Sequence, residues 1–346
     1  MSTDSPPLGK FGKYRLEKYV FPYLEREGGR RPDLKYGSDF NTVETGEENV
    51  LVVSSDPLAI SPQLGWGRSG GLALQVITTD VAVSGIAPSH LVVNWNLPPK
   101  MEDEAFSEVW QGFTDEARSV KAEIVGGHTG RYEGQNFPIV GAGTALGFGE
   151  KEDLLNGEVK EGDGVYLLNE LGVEAAGIFA FYYPEFLAER TSNDLLEKIK
   201  VKFDALQPTR KLLKLASLPG VEVLHDVAEG GFLGGIEEIL ADRKLGARVY
   251  GDEIEFDPDV AEVCRQLDLD PLKVTSLGSG IAVVSTGTED KFLRGAAENN
   301  LEIEKAGEIT ESRDIELVTE DGMKNITEPG RDLFWKRLSE FEKERG

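Results

Sequence analysis

The sequence predicts two α/β domains, and three observations carry that expectation. At 346 residues the chain is about twice the length of a typical domain of roughly 150 residues. Short β-branched runs alternate with helically periodic stretches in both halves. A charged, glycine-punctuated stretch, EKEDLLNGEVKEGDG (150–164), separates the halves, and the pattern restarts beyond it. The expected domains are therefore residues 1–154 and 155–346.

In the first half, residues 14–25 read as a short helix, followed by a turn-rich span with Gly28, Gly29, Pro32, Gly37 and Asn41. ENVLVVSS (48–55) is a buried strand type that stops at Asp56-Pro57. Residues 69–86 predict a helix. Residues 101–121 predict a better one, since Phe106, Val109, Phe113, Ala117 and Val120 recur at helical spacing. A short strand over 123–125 then runs into a turn at Gly126-Gly127, and 136–148 reads as a strand loosened by Gly141 and Gly143. In the second half, strands are expected over 165–169, 221–224 and 281–285. Helices are expected over 173–183, 192–201, after Pro208 and from about Gly231. The chain closes in a helix with Phe334, Leu338 and Phe341 on one face.

Composition removes several function classes. With 40% hydrophobic residues the chain has enough apolar material for real cores. The apolar stretches are short and broken by glycine, so no transmembrane helix is expected, and the N-terminal residues lack the apolar core of a secretory signal. One cysteine, Cys264, permits no internal disulfide or cysteine-clustered metal and suits a reducing cytoplasm. Sixty-two acidic against 37 basic residues give a net charge of −25, a field that repels nucleic acid. A nucleotide ligand would need metal ions to bridge it to such a protein. Most of these carboxylates read as solvated surface; only acids in apolar or glycine-rich surroundings carry functional weight.

Asp80 is such an acid, set in LALQVITTDVAVSGI. A carboxylate in so apolar a helix must be hydrogen-bonded, paired or metal-bound. Asp56 stands at the expected end of a strand, where α/β proteins place ligand groups. Asp39, in YGSDF, is either a further ligand or an ordinary Asx turn. Oxygen ligands without thiols suit Mg²⁺. Gly126, Gly127, His128, Thr129, Gly130 and Arg131 place glycines beside a hydroxyl, an imidazole and a guanidinium, either as a phosphate cradle or as a tight turn. In HDVAEGGFLGGI (225–236), a strand delivers His225 and Asp226, and Gly230-Gly231 opens a helix whose free amides suit an anion. The alternative is glycine-mediated packing of that helix on the sheet. No P-loop motif occurs, and Gly141, Gly143 and Gly147 read as strand-packing residues rather than a dinucleotide fingerprint.

Together these stretches resemble the AIR synthase-related (PurM-like) superfamily from about residue 37 to 310. LVVSSDPLAISP resembles its strand with a metal-binding Asp, TTDVAVSGIAPSHLVV the following Asp-containing helix, and EIVGGHTGR its glycine turn. EGDGVYLLNELGVEAAGI and HDVAEGGFLGGI are similar to segments of its second domain, and DPLKVTSLGSGIAVVST (270–286) is most similar to the hydrogenase-maturation member HypE. The resemblance implies an N-terminal domain pairing into a β-barrel in a homodimer, with ATP and Mg²⁺ in a cleft covered by a C-terminal α/β domain. It implies phosphorylation of an oxygen of a small substrate, as in a thiamine-monophosphate kinase, or else a non-catalytic nucleotide-binding partner in a maturation pathway. It places Asp39, Asp56, Asp80 and Asp226 at metal positions. It gives Gly126, Gly127, Thr129, Gly230 and Gly231 to the phosphates, and His128, Arg131 and Asp226 to catalysis. Two departures stand out. His128 takes a position where many members have Asp, and the sequence ends FEKERG where HypE carries a substrate-bearing cysteine.

Overall fold

A computed structural model describes residues 9–24 and 36–345. It shows a mixed α/β chain with two sheets, one built from residues 41–150 and the other from 164–325. Helix α1 (Lys13–Tyr19) precedes both and ends ahead of a single 3₁₀ turn, Phe21–Tyr23. Pro22 lacks the N–H and disfavours a helical Phe21, which is why the helix is shorter than the sequence predicts.

The first sheet contains β1 (Asn41–Glu44), β2 (Asn49–Ala59), β3 (His90–Leu97), β4 (Glu123–Arg131) and β5 (Ile139–Glu150), in the order β1-β2-β5-β3-β4. Helices α2 (Trp66–Ala82) and α3 (Asp103–Val120) cover one face. Along β3, Leu91, Val93, Trp95 and Leu97 point into that core, while Val92 points away and is exposed. Two predicted boundaries move. Strand β2 does not stop at Asp56 but runs on through Pro57, because β1 pairs with it only as far as Val53 and leaves a free edge that tolerates the missing N–H. The expected turn at Gly126-Gly127 is strand: β4 pairs in parallel with β3 from Val92↔Gly126 to Leu97↔Arg131. A Cβ at Gly127 would fall 1.9 Å from the Val93 carbonyl oxygen, so the glycine serves close strand approach.

The second sheet has the order β12-β11-β8-β10-β6-β9-β7. Its strands are β6 (Gly164–Leu168), β7 (Val221–Asp226), β8 (Gly246–Tyr250), β9 (Gly280–Val284), β10 (Ile303–Thr310), β11 (Ile315–Thr319) and β12 (Gly322–Asn325). Helices α4 (Val173–Tyr182), α5 (Pro184–Ala188), α6 (Asn193–Asp204) and α7 (Pro208–Ala216) lie between β6 and β7. The remaining helices are α8 (Gly231–Leu240), α9 (Pro258–Gln266), α10 (Glu289–Glu298) and α11 (Phe334–Arg345). Ser192 caps α6 by accepting the Leu195 N–H at 3.1 Å.

Helix α2 joins the two sheets. Its C-terminal residues Ala82 and Val83 pack with Leu212, Leu215 and Leu224 of the second half. Thr78 Oγ1 lies 2.7 Å from Thr209 Oγ1, and Arg68 forms a two-pronged pair with Asp204 at 2.5 and 3.0 Å. Among the described residues no helix is long and apolar enough to cross a membrane.

Candidate functional site

At this junction four aspartates converge from separate segments. Asp39 precedes β1, Asp56 lies within β2, Asp80 is in the last turn of α2, and Asp226 ends β7. Glycines make the convergence possible. In register opposite Asp56 is Gly143, where a Cβ would sit 2.6 Å from Ile77 Cδ1; its absence lets α2 seat on the sheet. Asp80 Oδ2 then accepts the Ser54 hydroxyl at 2.7 Å. Gly37, at φ +78°, lies against α8 where a Cβ would meet the Glu238 carbonyl oxygen at 2.6 Å. That contact lays the lead segment on α8 and brings Asp39 Oδ1 to 3.1 Å from His225 Nε2.

His225 is the hub. Its side chain is only 5% exposed, with Nδ1 2.6 Å from the Asp226 carbonyl oxygen and Nε2 3.2 Å from Glu238 Oε2. Nε2 lies between Asp39 and Glu238 yet off the hydrogen-bonding direction of either. Glu238 in turn holds Lys10 Nζ at 2.8 Å.

The electrostatics follow from burial against neighbours. Burial alone would depress the His225 pKa, but Asp39, Glu238 and Asp226 override it and raise it to about 10. Burial opposes ionisation of Glu238, yet the close positive charge of His225, with Lys10, holds it down at about 2. Burial pushes Asp39 up to about 7, with His225 pulling against Asp226. Asp80 rises well above the usual carboxylate range through burial first, then through the charges of Asp226, Asp56 and Asp39. Asp226 is raised by burial, with His225 and Lys10 opposing.

The donor set suits a hard divalent cation. Asp56 Oδ2 is buried without a hydrogen-bond partner, and ligand atoms of Asp39, His225 and Asp226 lie within 4.8 Å of one another. An orphaned carboxylate oxygen facing three further acids calls for a cation or a proton.

Comparison with known proteins places this arrangement. Residues 37–148 match the N-terminal domain of AIR synthase related proteins, and residues 160–320 match their C-terminal domain. The chain belongs to the AIR synthase-related family. It is similar to the carbamoyl dehydratase HypE of Cupriavidus necator, 26% identical over 283 residues that cover 80% of this chain and 78% of that one. Its fold is that of a HypE solved in a HypE–HypF complex, with TM-score 0.70 and 19% identity over 90% of this chain and 98% of that one. It is equally that of the kinase AaThiL complexed with AMPPCP and TMP, with TM-score 0.69 and 16% identity over 93% and 99%.

Within this family framework, the other expected site residues lie elsewhere. The phosphate-side residues Gly126, Gly127 and Thr129 belong to β4, the strand at the opposite edge of the sheet from β1, with β5 and β3 between it and Asp56 on β2. His128 is exposed and contacts Tyr132, so it does not join the aspartates. Arg131 donates to the Met101 carbonyl oxygen at 3.0 and 3.1 Å and pairs with Asp103 at 2.6 Å, tying β4 to the start of α3. At α8, the amides expected to cradle a phosphate are engaged. Gly230 N–H donates to Asp332 Oδ2 at 3.1 Å, and Gly231 N–H to the Ala228 carbonyl oxygen at 3.0 Å. Asp332 Oδ2 also accepts the Thr275 N–H at 3.1 Å, so an internal carboxylate holds the anion position. Gly231 itself is a packing residue: a Cβ there would lie 2.7 Å from the backbone of Lys273 and Val274.

Sequence reasoning missed Glu238, Glu174 and Lys10. Glu238 and Glu174 carry the signal that singled out Asp80, a carboxylate in an apolar helix (GFLGGIEEIL and VEAAGIFAFY). Glu174 is buried, accepts from Thr275 Oγ1 and Leu277 N–H at 2.7 Å each, and is raised by burial to about 7. Lys10 has no local signal, because its partner is 228 residues away.

Proposed function

We propose that the chain is a Mg²⁺-dependent ATP-binding enzyme that transfers a phosphoryl group to an oxygen of a small substrate. The observation that carries this reading is the convergence of Asp39, Asp56, Asp80 and Asp226 around a buried, unpartnered Asp56 oxygen. These four residues would hold the metal. A divalent cation bound there neutralises phosphate charge and orients a transferring phosphoryl group. Burial raises both Asp80 and Asp39, and a cation must displace their protons, so affinity for metal rises with pH. The AMPPCP bound by AaThiL supports nucleotide as the ligand class.

The acceptor is a free small molecule rather than the Cys264 thiol. Cys264 is buried with Val173, Val260 and Val263, and burial, with Asp270 adding, pushes its thiol up to about 12. This favours chemistry of the thiamine-monophosphate-kinase type over thiol-borne dehydration. The function is divided between residues 1–154, which bind ATP and dimerise, and residues 155–346. The sheet face turned away from α2 and α3 leaves Val43, Val92, Val125, Ile139 and Phe148 exposed. A second copy packing there would bring β4, with Gly126, Gly127 and Thr129, towards the partner's aspartates. The HypE–HypF assembly supports a further maturation-protein partner.

Thermal shift tests the reading. ATP with Mg²⁺ is expected to raise the Tm, EDTA to remove the rise, and Asp80→Asn to abolish it while the apo-protein stays folded. An unchanged ATP response in Asp80→Asn would sink the metal role. ATP binding without turnover across metabolite pools would assign the chain to the non-catalytic class.

A further inference from the structure

The N-terminal arm crosses α8 from one end to the other. The Lys10 N–H donates to Glu229 Oε2 at 2.7 Å, in the loop ahead of α8. Beyond the other end, Lys13 Nζ reaches the Ala241 carbonyl oxygen at 3.0 Å and Asp242 at 3.3 Å, a cation at the negative end of a helix. Between these anchors the Lys10 ammonium turns inward, 2.8 and 3.0 Å from the two oxygens of Glu238. Glu238 faces His225, whose enclosed Nε2 has no hydrogen-bond partner and points at the same carboxylates. Lys10 and His225 are the two cations acting on Asp39 and Asp226. The arm is weakly rooted: α1 buries no residue, and glycines stand on both sides of Lys10 at positions 9 and 12.

We propose that Lys10 is the internal counter-ion of this acidic cluster, exchanged for a divalent cation. A metal ion at Asp39, Asp56, Asp80 and Asp226 and an ammonium at Glu238 are like charges drawn to one patch of negative potential. The metal is the stronger charge and the arm the weaker attachment, so metal entry expels Lys10 and lifts residues 9–13 off α8. The site then opens on the side the arm covered. This inference rests on the metal-binding part of the proposed function and is independent of nucleotide.

The test is Mn²⁺ binding to the full chain without nucleotide, read by the EPR signal of free Mn²⁺ in wild type, Lys10→Met and Lys10→Arg. Lys10→Met is expected to bind Mn²⁺ at least tenfold more tightly than wild type, and Lys10→Arg within threefold of wild type. Saturating Mn²⁺ is expected to speed hydrogen exchange over residues 10–19 in wild type. Equal affinity in wild type and Lys10→Met overturns the exchange and leaves the metal reading standing. Unchanged exchange in the arm at saturation also overturns it. Absence of Mn²⁺ binding in all three overturns both. Circular dichroism of each variant confirms that the fold is retained.

Discussion

Replacing Glu238 by Gln keeps the shape of the side chain and removes the charge that His225 and Lys10 share. The wild-type carboxyl is held at about 2 against an ordinary 4.5. At about 1.4 kcal/mol per pH unit, that depression corresponds to roughly 3 kcal/mol of folding free energy. The side chain is 8% exposed, so solvent screening does not erode this figure much. Because the folded-state pKa is lowered, the stabilisation is complete above pH 4.5 and is lost as pH falls through about 2. His225 sets the other limit. Its pKa is raised from an ordinary 6.5 to about 10, so its share of the stabilisation is complete below pH 6.5 and is lost as pH rises through about 10. The stability difference between wild type and Glu238→Gln should therefore form a plateau of about 3 kcal/mol from about pH 5 to 6.5, falling away as pH drops through about 2 and as it rises from 6.5 through about 10. Urea unfolding followed by tryptophan fluorescence at pH 3, 5, 7 and 9 measures it. A difference below about 0.5 kcal/mol at pH 7, or one that grows as pH falls from about 5 to 3, refutes the reasoning.

Gly112→Ala should destabilise the chain by about 1–3 kcal/mol in the same assay, since its Cβ would fall 1.9 Å from the Gly67 carbonyl oxygen at the crossing of α2 and α3. Cys264→Ser should cost about 1–3 kcal/mol through an enclosed hydroxyl and leave the Mg²⁺–ATP thermal shift unchanged; the wild-type thiol should resist aqueous thiol reagents until the protein unfolds. Light scattering should give about twice 37.9 kDa, and Val125→Lys, at a position 55% exposed on β4, should halve it.

The parts of the site legible in the sequence were those that contradicted their surroundings. Asp80 stands out because everything near it in the chain is apolar, and Asp56 because it follows a β-branched run where a strand is expected to end. Glu238 contradicts its helix just as plainly, but Glu237 beside it makes the pair look like a solvated helix face. The segment of His128 and Arg131 reads as a turn because glycine suggests one wherever it clusters. At Gly127 the Val93 backbone comes so close that only glycine fits, and the segment remains extended. The pairing of Lys10 with Glu238 had no sequence trace, since charge partners so far apart are joined by the fold and not by spacing.

The loop between β7 and α8 is held by both extremities of the chain. Glu229 accepts the Lys10 N–H through one oxygen and the Trp335 indole N–H at 2.8 Å through the other, while Asp332 takes the amide of Gly230. During synthesis the N-terminal arm therefore waits for a loop made more than two hundred residues later. The loop in turn waits for Asp332 and Trp335, 102 and 106 residues further on. At about 5–20 residues per second, the second interval alone lasts several seconds. A nascent chain with its first sheet already folded thus lacks the clasp around His225 and Asp226, which closes only after Asp332 and Trp335 have been made.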